Sequence, residues 1–415
     1  MSAPSKRRLV FLALIAAGYV LIAWRLDWLG FAPAKDEVHF WPTTLRFAAE
    51  PIPSRTLLRS YGELNTPLPF MVFGWLEAAL GGGIVVGRLF NAVVSFAMAV
   101  LFVLSARGRD RRVIAAAIAA WTFPYLIGTS FYLYTDVLAV AFALAGFIAV
   151  RRGMRWTGAV AFVLAVSSRQ YMVAVPAALA LHRGIEIIRE RGVRGRGVAA
   201  LAADPVVMAG AAGVGALVGW FVFFGGFAPA NEIADQAIRT TSAGVILPRN
   251  GLYFLAVIGA YFVPLSYLLF DRDRRLLFWG PRWVVAAVVL AVGGLFLLFP
   301  PVRNLDYDIE TMGFLDKALR RLVGDHDVVR VAVLWMLASM AVVRFRRWSL
   351  ASALVLVHAV MLMKAHIAWD KYAMVCLVCL WYLHADWPPA EAARAPARVR
   401  PPDPALAAQQ DPSLG

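Results

Sequence analysis

Residues 84–129 read IVVGRLFNAVVSFAMAVLFVLSARGRDRRVIAAAIAAWTFPYLIGT. Two apolar runs, 84–104 and 113–129, are each long enough to cross bilayer hydrocarbon, and the block between them holds Arg107, Arg109, Arg111 and Arg112. A basic block between two apolar runs marks a loop kept on the cytoplasmic side. Worked outward from this unit, the same two signals give twelve transmembrane helices, at 9–28, 84–104, 113–129, 137–150, 156–168, 171–182, 201–224, 251–270, 283–300, 329–343, 349–363 and 373–385. The fourth to sixth and the tenth to twelfth are short for the hydrocarbon thickness. The expected fold is an all-α polytopic membrane protein over 1–385, followed by a disordered, Pro-, Ala- and Arg-rich cytoplasmic tail, 386–415.

Composition agrees. The 415 residues are 61% hydrophobic and 16% charged, with a mean hydropathy of +0.67, which leaves too little polar surface for a soluble domain and too much apolar surface for a disordered chain. The net charge of +15 does not point to nucleic acid, because the basic residues come in short blocks between apolar runs. The segments assigned to the cytoplasm carry 25 of the 41 Lys and Arg residues and far fewer acids, so nearly all of the net charge falls on that side. Lys6-Arg7-Arg8 before the run from Leu9 to Trp24 reads as a retained first helix with a cytoplasmic N-terminus, since the small-x-small site at Ala32-Pro33-Ala34 lies well past that run. Cys376 and Cys379, inside the last apolar run, read as small helix residues and not as a redox or metal pair.

The opposite face carries the longer loops, 29–83, 225–250 and 301–328. In the first of these, Pro67 to Leu80 reads as a segment along the outer leaflet, because its Pro-x-Pro start and the triple glycine after it suit a spanning helix poorly. Ionisable groups near hydrocarbon are costly and are usually paired or functional. Five clusters qualify: Asp36-Glu37-x-His39, Arg88-x-x-Asn91, Asp136, Arg169-Gln170, and His366-x-x-x-Asp370-Lys371-Tyr372. Each also has a structural reading. Asp36-Glu37 could be a helix N-cap with a first-turn acid, Asp136 another cap, Arg169 a snorkelling side chain, and Arg88 an ion-pair partner of Glu77 or Asp136.

The order Asp36-Glu37-x-His39, Asn65-Thr66-Pro67, Tyr132-x-Tyr134-Thr135-Asp136-Val137, Ser168-Arg169-Gln170 and His366 to Tyr372 resembles the GT-C class of membrane glycosyltransferases. In particular it resembles the dolichyl-phosphate-glucose α-1,2-glucosyltransferase family. His39 stands one position nearer the acid pair than that pattern, and the last segment is shorter.

The resemblance implies transfer of a hexose, glucose or mannose, from a polyprenyl-phosphate donor to a lipid-linked or envelope glycan on the external face. A sugar hydroxyl needs a carboxylate to take its proton, a role that falls to Asp36, then Glu37. The departing phosphate needs cations, which Arg169, His366 and Lys371 supply, while Asp136 orients Arg169 or the acceptor. His39, Arg88, Gln170, Asp370 and Tyr372 complete the expected substrate contacts. Whether a divalent ion held by Asp36 and Asp136 acts as a Lewis acid stays open, since some members of the class use one. Compact loops and an Ala- and Arg-rich composition suit a prokaryotic cytoplasmic membrane. The rival reading, a transporter or flippase of lipid-linked sugars, expects acids near the membrane midplane, and here the acids map to helix ends and loops.

Overall fold

The computed structural model describes residues 4–25, 27, 29–192, 195–235, 245–270, 281–301, 312–324, 326–365 and 367–386. Among these the chain is helical, with one isolated parallel bridge between Met312 and Ala368. The helices are α1 (Lys6–Arg25), α2 (Glu37–Ala49), α3 (Arg55–Leu58), α4 (Leu68–Leu80), α5 (Ile84–Ser105), α6 (Asp110–Trp121), α7 (Pro124–Ser130), α8 (Thr135–Arg151) and α9 (Arg155–Ser168). A 3-10 turn, Gln170–Val173, leads into α10 (Ala174–Arg191), followed by α11 (Arg196–Ala203), α12 (Pro205–Phe224) and α13 (Ala230–Asp235). Then come α14 (Pro248–Tyr261), α15 (Val263–Leu269), α16 (Arg282–Leu298), α17 (Phe314–Val323), α18 (Asp327–Phe345), α19 (Leu350–Leu362), a second 3-10 turn (Asp370–Ala373) and α20 (Met374–Ala385).

All twelve apolar segments fall largely on helix. Among the described residues six helical stretches are long and apolar enough to cross a membrane: Lys6–Arg25, Ile84–Ser105, Gln170–Arg191, Pro205–Phe224, Pro248–Leu269 and Asp327–Phe345. The protein is thus an integral membrane protein. Run 113–129, expected as one span, is instead two helices bent by 73°. Pro124 explains the break, since its ring cannot accept a preceding helical turn and it starts α7 afresh at the first helical position. The sixth span, expected to end at 182, continues to Arg191. Its last turns stay helical because Arg183 donates to Glu186 at 3.2 Å and to Asp204 at 2.9 Å, which ties α10 to the cap of α12.

Small residues let these helices approach closely, as expected where apolar side chains gain little by leaving lipid. A Cβ on Gly259 of α14 would lie 1.9 Å from the Leu337 carbonyl oxygen of α18, and one on Gly251 would lie 2.7 Å from the Ala359 carbonyl oxygen of α19. By contrast α1 buries only Leu12 and exposes Leu14, Val20, Leu21 and Trp24, the pattern of a lipid-facing helix.

The bundle has two chemically distinct ends, set about 25 Å apart along α5 by the rise from Arg88 to Ser105. One end is arginine-rich. There Arg8 donates to Asp110 at 2.8 Å and to the Ala106 carbonyl at 2.7 Å, while Arg107 and Arg151 donate to Asp386 at 2.9 and 3.1 Å. Asp386, placed with the tail by sequence, is therefore a buried closing residue of the bundle, because three arginines, Arg107, Arg151 and Arg152, need its charge. The rest of that tail lies outside the described residues. The other end gathers residues 29–83, which fold into α2, α3 and α4, together with the turns before α8, α10, α17 and α20. The Pro67 to Leu80 segment is the helix α4, begun by prolines, stopped by left-handed Gly81 and packed with Gly74 against Phe47 of α2.

The close approach of α14 and α18 predicts that Gly259→Ala destabilises the protein by about 1–3 kcal/mol or more, the range for overpacking. Gly215, on an open face of α12, should tolerate alanine within about 1 kcal/mol. Thermal unfolding of the purified variants in detergent would compare the two.

Candidate functional site

Arg88 sits one turn into α5 and is wholly buried. Its guanidinium donates to both oxygens of Glu37, at 2.9 and 2.6 Å, and to the carbonyls of Leu29 and Phe31, at 2.9 and 2.6 Å. Glu37 also accepts the Leu133 amide at 2.6 Å and the Ala34 amide at 3.2 Å. Glu37 was expected as a catalytic carboxylate, but both its oxygens are saturated and it has no exposure, so it is a structural tie. Arg88 likewise pairs with neither Glu77 nor Asp136, and Glu77 instead accepts the Gly83 amide at 2.8 Å.

Asp36 behaves differently. It occupies the N-cap position of α2, yet its side chain makes no cap hydrogen bond. It turns instead to Lys371, whose ammonium donates to it at 3.0 Å, and 28% of its side chain stays exposed. That exposed edge faces a cavity of about 390 Å³ lined by Lys35, Asp36, Pro124, Tyr125, Gly128, Thr129, Tyr132, Tyr134, Met312, Phe314, Lys317, Trp369 and Lys371. Asp36 is the carboxylate on this wall among the described residues.

The remaining expected site residues lie around the cavity and not in its lining. Asp136, in the first turn of α8, is fully buried, and accepts from Arg169 at 2.6 Å and from the Tyr171 hydroxyl at 2.7 Å. Arg169 does not snorkel. It is buried, and with Gln170, which donates to the Leu64 carbonyl at 2.6 Å, it fastens the Leu64–Asn65 segment. Asp370 is also buried, accepting from Tyr253 at 2.7 Å, Tyr261 at 3.1 Å and the Leu315 amide at 2.7 Å. Burial pushes its carboxyl up to about 6, against the opposing pull of those three donors. It is therefore a latch that joins the 3-10 turn at 370 to α14 and α17. Tyr372 is half-buried against the Tyr171 ring, 5.2 Å between centroids. His39 is exposed and is not among the residues that line the cavity. His366 lies outside the described residues.

Lys35, Lys317 and Trp369 are lining residues that the sequence did not single out, while Tyr132 and Tyr134 stood out only as part of the motif that runs to Val137. Lys35 adopts a left-handed backbone, φ +58°, rare for a residue with a Cβ, and its ammonium lies 4.9 Å from the Tyr132 ring centroid. Its signal was available only as a third charge beside the Asp36-Glu37 pair. Lys317 comes from a helix that only the fold brings to the cavity.

Asp36 and Asp136 do not offer a ligand set for a divalent ion. Arg169 and Tyr171 take both oxygens of Asp136, Lys371 takes one of Asp36, and no group of three His, Cys, Asp or Glu side chains converges among the described residues. No protein-family model, curated protein or solved structure matches the chain, so its site is read from its own chemistry.

The saturation of Glu37 predicts that Glu37→Gln, by leaving Arg88 buried without its counter-charge, destabilises the fold by about 3–5 kcal/mol. Replacing the pair together with apolar side chains of similar volume should recover part of the loss. Unfolding curves of the single and double variants would measure it.

Proposed function

We propose that the protein is a GT-C-like hexosyltransferase with twelve membrane-spanning segments and both termini in the cytoplasm, acting on the external face of a prokaryotic cytoplasmic membrane. The donor is a polyprenyl-phosphate hexose and the acceptor a lipid-linked or envelope glycan. One observation supports this above all: a partly exposed carboxylate, Asp36, sits at the wall of an aromatic cavity that also presents lysines. Aromatic walls suit a sugar ring, lysines suit a phosphate, and the carboxylate suits proton removal from a hydroxyl.

In this reading the acceptor hydroxyl attacks the anomeric carbon of the donor sugar. Its proton passes to Asp36 as the new carbon–oxygen bond forms, and the bond from the anomeric carbon to the phosphate oxygen breaks. Polyprenyl phosphate leaves as an anion, its charge met by Lys35 and Lys317. Arg169, expected to hold this phosphate, instead keeps Asp136 and the 64–65 segment in place.

Asp36→Asn should keep the fold and donor binding while cutting transfer on the order of a hundred- to ten-thousandfold. Comparing the lipid-linked and envelope glycans of cells with wild-type and variant protein by mass would read the loss. Normal glycans from Asp36→Asn cells, or ion-coupled uptake into liposomes without a glycan product, would sink the proposal.

The orientation has its own check. A cysteine replacing Ile52, which is 90% exposed, should label with an impermeant reagent from outside, and one replacing Arg155 at the arginine-rich end should not. Labelling in the opposite sense would put the cavity on the wrong side for this donor.

A further inference from the structure

Of the four acids expected at the site, Glu37 and Asp136 already have an arginine of their own. Arg88 holds Glu37 at 2.6 Å and Arg169 holds Asp136 at 2.6 Å. For Asp36 the partner is Lys371. That ammonium does not stand out in the cavity as Lys35 and Lys317 do: its side chain is 4% exposed. Beyond Asp36 it meets ring faces, with centroids of Trp369 at 4.4 Å, Tyr134 at 5.4 Å and Tyr372 at 5.9 Å. Rings satisfy a cation without offering it a route to a ligand. The 3-10 turn that carries Lys371 is itself locked, because its first residue, Asp370, is tied to Tyr253, Tyr261 and the Leu315 amide.

We infer that Lys371 is a positioning residue, the fixed counter-charge that holds the Asp36 carboxylate aimed into the cavity, and not a ligand of the donor phosphate. The inference rests on the transferase reading for its kinetic consequence, although the pairing itself does not. Without Lys371 the Asp36 carboxylate would lose its cation at hydrogen-bond distance among the described residues, and its oxygens would be free to rotate. The charged and titratable groups around the pair are Lys35, Glu37, Tyr134, Asp136, Lys317 and Tyr372. Glu37 and Asp136 are acids held by Arg88 and Arg169, and the Lys35 ammonium lies over the Tyr132 ring, so none of these three replaces the lost contact.

The test uses the full-length protein in detergent, with radiolabelled decaprenyl-phosphate glucose as the donor probe and lipid extract from the producing membranes as acceptor. Lys371→Met should bind the donor within about twofold of wild type while transfer at saturating donor falls on the order of a hundredfold, the scale of a misaimed catalytic group. Lys371→Arg should recover most of the rate, and it also covers the case in which the methionine variant folds poorly. A tenfold or greater loss of donor binding with near-normal turnover at saturation would make Lys371 a phosphate ligand and overturn the inference. A second arm needs no activity: carbodiimide joins a carboxylate to an amine in direct contact, so mass spectrometry of the treated wild-type protein should find an Asp36–Lys371 amide crosslink. Its absence, with Asp36 modified as a free carboxyl, overturns the inference. If wild-type protein neither binds nor transfers the donor, the transferase reading falls and this second arm alone decides the pairing.

Discussion

Arg88 and Glu37 exchange two hydrogen bonds at 2.6 and 2.9 Å with neither side chain exposed, and the geometry of the cavity follows from that contact. Two charges taken out of water cost about as much as their attraction returns, so such a pair is weak as a source of stability. Its effect is on register. The guanidinium reaches the carbonyls of Leu29 and Phe31 and so draws the link between α1 and α2 against α5, while Glu37 takes the Leu133 amide and draws in the turn before α8. Two connections and α5, far apart in sequence, are fixed to one point. Asp36, adjacent to Glu37 in the chain, then has no freedom to act as an ordinary cap, and its side chain falls at the cavity wall.

Four acids near this end share a residue type or its homologue and differ in what surrounds them. Glu37, Asp136 and Asp370 are buried and have donors on both oxygens, which leaves them no lone pair directed at a substrate and no solvent to carry a proton away. Asp36 has one donor and a face open to the cavity. A carboxylate that must gain a proton in one step and lose it in another needs that openness, whereas one that only fixes backbone is best closed off. The contrast sets Asp36 apart from the three acids around it without any appeal to residue type, as the proposed role of proton acceptor requires.

Much of the helical layout was legible in the sequence because hydrophobic runs and arginine blocks are local signals. The runs at 84–104 and 201–224 correspond closely to α5 and to α12 with the helix before it. Boundaries failed where a single residue or a distant contact decided them: Pro124 broke one run, and the Arg183–Asp204 bond lengthened another. The five charged clusters were also legible as clusters, but not their roles. Those roles depend on pairings between residues 51 apart for Glu37 and Arg88, 33 apart for Asp136 and Arg169, and 335 apart for Asp36 and Lys371, which no spacing rule within one helix can supply. His39 makes the same point, since its spacing of three from Asp36 puts the two on one face of α2, yet only Asp36 lines the cavity.

The walls of the cavity come mostly from connections: Lys35 and Asp36 before α2, Tyr132 and Tyr134 before α8, Met312 and Phe314 at the start of α17, and Trp369 and Lys371 before α20. Connections allow functional groups to converge from separate helices, but they lack the ladder of backbone bonds that stiffens a span. Here each is fastened by a buried side chain. Glu37 holds the first two, and Asp370 holds the last two through the Leu315 amide and the tight seat of Gly313, where a Cβ would lie 2.1 Å from its carboxylate. Placing charge beside hydrocarbon is costly, and a protein that needed only to cross the membrane would have no use for it. The buried carboxylates are explained when the rigidity they give to these four connections is required by the group at their centre, the Asp36 carboxylate, whose aim depends on all of them.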